Sequence, residues 1–366
     1  MRTKKPRTNM IALAGPSVPG GLVPCAQGRA KRTLLPAPLP NEKSSVNRTM
    51  GGSPFLIVMK LRRSTVNILA KAALMAASLA FVGITTTAAN VETQTKPVTI
   101  NGAEIDYLEH GKGTPVVFLH GLFNDYRQWL PQRDDVGASY RFIAYTQRYH
   151  GPRPWLDDGE NYSNATHATD LAEFIRTLDS GPVHIVARSN GGHIAMLMTL
   201  EHPGLVRSLV LPEPGGVANL VSDTPEGKEA IGAFREALAP ARQAALAGDS
   251  DAATRYFYDA VAGRPGLWEA LSEERRQLML PNGRMLRLFF SAPRTNISCD
   301  QLGQVRAPTL IVKGDRSIPM FQLFSDAVAG CMLGSEVAVI PNTGHSMSQQ
   351  NPAAFNKALL EFLDRN

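Results

Sequence analysis

The chain has 366 residues, 43% hydrophobic and 19% charged, ordinary values for a globular protein of one large or two small domains. Its net charge of +6 is unevenly placed: residues 1–89 hold 13 Lys/Arg and one acidic residue, Glu42, whereas residues 90–366 hold 25 Lys/Arg and 31 Asp/Glu. The basic excess belongs to a leader, and the mildly acidic remainder argues against nucleic acid as a partner.

The leader has two parts. Residues 1–58 are rich in Pro, Gly, Lys and Arg without sustained periodicity, which marks a disordered segment or sequence upstream of the true start. From Met59 the character changes. Lys60, Arg62 and Arg63 precede the apolar run Ala72–Ile84, and Thr87-Ala88-Ala89 supplies small residues. This is the layout of a secretory signal peptide over 59–89, predicting cleavage after Ala89 and a periplasmic or secreted product. An uncleaved anchor is the alternative, but Asn67 and Lys71 suit a spanning helix poorly. Membrane contact is expected only through this segment, and the sequence is silent on oligomeric state.

In the remaining chain, Val98–Ile100, Asn101-Gly102 and Ala103–Leu108 predict a hairpin, because Asn-Gly favours the tight turn joining twisted strands. Pro115–Leu119 and Tyr140–Tyr145 are short apolar runs suited to strands buried on both faces. Ala168, Leu171, Ala172, Ile175 and Leu178 recur at helical spacing. Val183–Ala187 predicts a strand, with a helix after Ser189. Ser208–Leu211, Thr309–Val312 and Val337–Ile340 predict three more strands, and Pro352–Leu363 a closing helix. Strands alternating with helices predict an α/β fold, a mostly parallel sheet flanked by helices. Residues 96–214 and 302–366 form its two parts. Between them, 215–301 has no buried strand and is divided by Pro240, Gly248, Pro265 and Pro281 into helix-sized pieces, read as a helical cap over the sheet's C-terminal edge. Trp268, Phe289 and Phe290 either line a pocket there or form the cap's own core.

Of three cysteines, Cys299 and Cys331 lie beyond the leader, and Cys25 within it. An oxidising compartment permits a Cys299–Cys331 bridge; two buried free thiols are the alternative. No CxxC or His/Cys cluster suggests a metal site, and no cofactor is implied.

The chemistry centres on Ala187-Arg188-Ser189-Asn190-Gly191, where a strand stops and a helix begins. A serine at the apex of that turn is exposed beside backbone N–H groups able to hold an oxyanion. It needs a base, and the base needs a carboxylate. His345, in Gly344-His345-Ser346 between a strand and a helix, is the candidate base. The commoner position for the acid, after Gly314 on the penultimate strand, holds Ser317. Glu213, between Pro212 and Pro214, is therefore the favoured acid and Asp315 the alternative. The expected oxyanion donors are the N–H groups of Asn190 and of Leu122, which follows His120-Gly121. His120 itself is expected to brace its loop.

These motifs, in this order, resemble the α/β-hydrolase superfamily over about residues 96–366. Arg148-Tyr149-His150-Gly151 resembles the family's Arg-Gly-His-Gly stretch, with Tyr149 in place of glycine, and Gly344-His345 followed by Asn351-Pro352 and Phe355 resembles its C-terminal signature. The placement of Glu213, 24 residues past Ser189, is similar to that in some haloalkane dehalogenases and lactone hydrolases. Those dehalogenases use Asp as nucleophile, so Ser189 implies acyl transfer instead. The resemblance implies an exported serine esterase or lactonase acting on a small ester-like substrate. A hydrolase of carbon–carbon bonds in diketone-like compounds, or a non-catalytic binding protein on this fold, are the other readings.

Overall fold

The computed structural model describes residues 94–155 and 157–366. The segments 1–58 and 59–89 lie outside the described residues. The described chain carries an eight-stranded sheet in the order β1-β2-β4-β3-β5-β6-β7-β8. Its strands are β1 (Lys96–Ile100), β2 (Ala103–His110), β3 (Pro115–Leu119), β4 (Arg141–Tyr145), β5 (Val183–Ala187), β6 (Val206–Pro212), β7 (Thr309–Gly314) and β8 (Glu336–Ile340). The β1–β2 and β2–β4 pairings are antiparallel, and every pairing from β4 through β8 is parallel. Asn101 and Gly102 both take positive φ, 46° and 79°, as the tight hairpin requires.

All five residues of β3 and of β5 are buried. Helices cover both faces, which is why these strands read as continuous apolar runs. The pleat sends alternate residues to opposite layers. After the short α1 (Arg133–Gly137), Val117, Leu119, Ile185 and Ala187 join a core beneath α2 (Asn164–Thr177) and α3 (Asn190–Glu201). Val116, Phe118 and Val186 face Trp129 and the Phe355, Leu359 and Phe362 stripe of the closing helix, Pro352–Leu363.

Helix α2 starts four residues before the apolar spacing suggests. The Ser163 side chain accepts from Thr166 N–H and caps a first turn that carries no hydrophobic period. Pro240 departs from expectation more strongly. It lies inside α4 (Pro225–Leu246), a single 22-residue helix, instead of ending it. Helix α4 packs on α5 (Ser250–Ala262) through Ala241, Ala245, Ala253 and Phe257, and this packing on the far side of the proline outweighs the lost backbone bond. Gly248, at φ 86°, follows the end of α4.

Shorter helices at Glu273–Met279, Leu286–Ser291 and Cys299–Leu302 follow before β7. Trp268 packs edge-on to Tyr258 inside this helical layer, while Phe289 and Phe290 reach a cavity described below. Beyond it, Cys299 and Cys331 are joined by a disulfide, 32 residues apart in sequence with Cα atoms 5.0 Å apart. Cys331 ends the helix Pro319–Cys331 that follows β7. A Cys299→Ser/Cys331→Ser variant is expected to lose about 2–4 kcal/mol of stability, read as a lower urea midpoint with a somewhat steeper slope, since the unfolded chain without its crosslink exposes more surface. An unchanged midpoint would show that the crosslink constrains nothing in the unfolded chain.

Candidate active site

Ser189 stands between β5 and α3 with φ 54° and ψ −122°, a conformation that strains any residue but glycine. Its neighbours hold it there. The Ser189 N–H donates to the Pro212 carbonyl at 3.1 Å, and its own carbonyl accepts from the N–H groups of Gly192 and Gly215 at 2.9 and 2.8 Å. Gly191 has no room for a side chain, since a Cβ would sit 2.5 Å from the His120 carbonyl oxygen. Ala187, two residues before the serine, is fully buried in the sheet, so the turn accommodates a methyl there.

His345 lies on the loop after β8 and is buried. Its Nδ1 is 2.6 Å from Glu213 Oε2. Glu213 follows β6 at a positive φ of 42°, fully buried, and its Oε1 accepts from the Gly314 N–H at 2.9 Å. The end of β7 thus contributes a backbone donor where the commoner arrangement places the acid. A Cβ on Gly314 would come within 2.5 Å of the Thr343 and Gly344 carbonyls, so only glycine allows this approach. The Ser317 hydroxyl lies beside the same carboxylate and helps lower its pKa, although it falls short of direct hydrogen-bond geometry. Asp315 is exposed and accepts instead from the Thr343 N–H at 2.9 Å, so it is the turn's carboxylate and does not meet His345.

Burial is the strongest single influence on Glu213 and opposes its charge. The His345 hydrogen bond and charge, with Ser317 and the Gly314 N–H, outweigh it and hold the pKa below the ordinary carboxylate value. Burial, reinforced by the nearby Arg188 charge, pushes the His345 imidazole down to about 4 against the opposing pull of Glu213. The pair is therefore a neutral imidazole against a carboxylate at neutral pH.

Three contributors escape sequence reasoning. Arg188 is buried, its pKa lowered to about 10 by desolvation, and no carboxylate pairs with it among the described residues. Its Nε donates to the His345 carbonyl at 2.9 Å, its Nη1 to Gln128 Oε1 at 3.3 Å and its Nη2 to Ser346 Oγ at 3.2 Å. Gln128 Oε1 also accepts from the Gly121 N–H at 3.1 Å. One arginine thus ties the histidine loop to the loop after β3. Phe321 stacks flat on the His345 ring, centroids 3.7 Å apart.

The loop after β3 carries Leu122, and Phe123 takes a positive φ of 45°. His120 braces it: its Nε2 accepts from the Gln147 N–H at 2.9 Å, which assigns the proton to Nδ1, donated to the Gly121 carbonyl at 2.8 Å. Burial lowers its pKa to about 3, so it stays neutral. Tyr149 keeps a left-handed φ of 65° where the resembling stretch has glycine, and its hydroxyl donates to Asp157 at 2.9 Å. The neighbouring Arg148 pairs with Asp170 through two bonds of 2.7 and 2.8 Å.

Ser189, Asn190, Leu122 and His345 all line a cavity of about 630 Å³, closed on its other side by α4, α5 and the Phe289-Phe290 stretch. Glu213 lies behind His345 and does not reach it. Among the described residues no cluster of His, Cys, Asp and Glu is disposed to hold a metal ion.

A model of the alpha/beta hydrolase family matches residues 116–358, which span the elbow, the acid and the histidine. The chain belongs to the alpha/beta hydrolase family. It is 29% identical over 280 residues to a non-heme chloroperoxidase of Kitasatospora aureofaciens, covering 73% of this chain and 98% of the relative. Among solved structures of this hydrolase fold, a bromoperoxidase of Bacillus anthracis superposes with a TM-score of 0.58 at 26% identity, covering 74% of this chain and all of that one. A thermophilic esterase of Thermogutta terrifontis superposes with a TM-score of 0.59 at 22% identity, covering 74% of this chain and 98% of that one. The chain therefore matches nearly the full length of these three proteins, and the family model begins at residue 116.

Proposed function

We propose that the protein is an exported serine hydrolase that cleaves a carboxylic ester or lactone through an acyl-enzyme. The observation that carries this reading is Ser189 on a strained turn in the wall of a cavity that the buried His345, paired to Glu213 at 2.6 Å, also lines. His345 takes the Ser189 proton as Oγ attacks the carbonyl carbon. The N–H groups of Leu122 and Asn190 hold the oxyanion; among the described residues neither donates to a carbonyl in the turns and loops. His345 then protonates the departing alkoxide. A water, deprotonated by His345, attacks the acyl carbon, and collapse returns the proton to Ser189 and frees the acid. Glu213 keeps Nδ1 protonated, so that Nε2 is the basic nitrogen. No step needs a cofactor. The helical segment 215–301 serves as a cap that shapes the substrate pocket, and the leader directs the chain to the periplasm or beyond.

A fluorophosphonate probe is expected to label the wild type at Ser189, located by peptide mass spectrometry. Absence of labelling would sink the proposal. A panel of aryl and alkyl esters, lactones and vinylogous diketones then sorts the substrate class, with turnover of the diketones alone pointing to carbon–carbon hydrolysis. Mass measurement of the mature N-terminus tests export: Asn90 as first residue is expected, and an intact Met1 would refute it.

The pH profile offers a separate check. The base works only as neutral imidazole, so activity is lost as pH falls through the folded pKa of His345, about 4. The acid limb of kcat/KM is expected near pH 4 to 5. Arg188→Gln removes a positive charge that disfavours the imidazolium, so its limb is expected to move to higher pH. A wild-type limb at 6.5 or above would contradict the buried setting of His345.

A further inference from the structure

The cavity wall has a one-sided charge. Its lining includes Arg188, Arg235, Arg242 and Arg294 and no Asp or Glu. The guanidinium of Arg188 is spent on the His345 and Ser346 loop and on Gln128, as described above. The other three are exposed and uncommitted among the described residues. The ion pairs of their own helical segment, Arg255–Glu269 and Arg276–Glu273, leave all three out.

Their placement follows from the helix. Ile231, Arg235, Leu238 and Arg242 recur at steps of four, three and four along α4 and share its cavity-facing side. The acidic residues of that helix, Glu226, Glu229 and Glu236, stay off the lining. Arg294 comes from the loop after Leu286–Ser291, with its guanidinium 5.9 Å from the Phe289 ring centroid. Apolar wall such as Phe234, Leu238 and Phe257 completes the pocket. A neutral ester offers these three exposed guanidinium groups nothing to bind, whereas a cleft with charge of one sign and apolar walls concentrates anions.

We propose that this site takes amphiphilic esters or lactones bearing a carboxylate remote from the scissile carbonyl, the carboxylate held by Arg235, Arg242 and Arg294. The inference rests on the hydrolase reading above and names its substrate class. Each contact is partly exposed and modest alone, so three together are expected to supply about tenfold in affinity. Guanidinium forks suit a carboxylate's two oxygens.

The test is calorimetric binding to the Ser189→Ala protein at low salt, comparing N-benzyladipamic acid with its neutral amide, N-benzyladipamide. The acid is expected to bind about tenfold more tightly, an advantage that shrinks to about twofold in 0.5 M salt through screening. In Arg235→Gln/Arg242→Gln/Arg294→Gln the ratio is expected to fall to about one, and in Arg242→Gln alone by about two- to threefold. Equal binding of the two probes, or a preference unchanged in the triple variant, would overturn the proposal. Turnover of neutral 4-nitrophenyl hexanoate by the wild type reads the hydrolase proposal separately: its absence, with no serine labelling, overturns that reading, whereas turnover without a carboxylate preference overturns only this one.

Discussion

Ser189→Ala is expected to lower turnover of an aryl ester by about 10⁶-fold while leaving the thermal midpoint within a degree or two. The two halves of this expectation have different origins. The hydroxyl is the attacking group, and the triad's members act as a unit, so losing one loses nearly all of their joint effect. The fold does not depend on that hydroxyl. Ser189 is held by its backbone, through Pro212, Gly192 and Gly215, and alanine keeps the same Cβ at the same positive φ. Residual rate above water would come from the cavity and from the Leu122 and Asn190 N–H groups. A loss below about 100-fold, measured on protein free of wild type, would mean that another group attacks the carbonyl.

The elements that position this site are legible in sequence where burial is uniform. Strands β3 and β5 are buried at every residue, so their apolar runs are unambiguous. The hairpin is legible because Asn101-Gly102 suits one turn geometry. Helix starts are less visible: Ser163 caps a turn of Asn, Ala, Thr and His that shows no stripe. Pro240 misleads because local propensity says break, whereas packing of Ala241 and Ala245 on α5 says continue. Within the site, Ser189, Glu213 and His345 stand out by order along the chain. Arg188, Gln128 and Phe321 do not, because what defines them is distance in space across long separations in sequence. Arg188 meets Ser346 across 158 residues and Gln128 across 60. A sequence shows an arginine beside the serine, but it does not show that the guanidinium is buried without a carboxylate and bound to the histidine's own loop.

Glu213→Gln is expected to cost about 10⁴-fold in kcat, and Asp315→Asn less than about threefold. The carboxylate does two things that an amide cannot do together. It accepts the Nδ1 proton, which leaves Nε2 free to take the serine's proton, and it stabilises the imidazolium formed by that transfer. Glutamine can present its NH₂ to Nδ1, which moves the ring proton to Nε2 and removes the base. Asp315 has no such duty, since it binds the Thr343 N–H at the surface of its turn. The position of Ser317 sharpens the test. Its hydroxyl already lies beside the Glu213 carboxylate, so a carboxylate placed there approaches the same imidazole from β7. Ser317→Asp added to Glu213→Gln is therefore expected to recover about 10- to 100-fold of the lost rate, a modest return because two carboxyl-sized groups must share a buried site. If Asp315→Asn instead produces the large loss, or if Glu213→Gln retains more than a tenth of wild-type turnover, the carboxylate that orients His345 during catalysis is not the one paired with it at 2.6 Å.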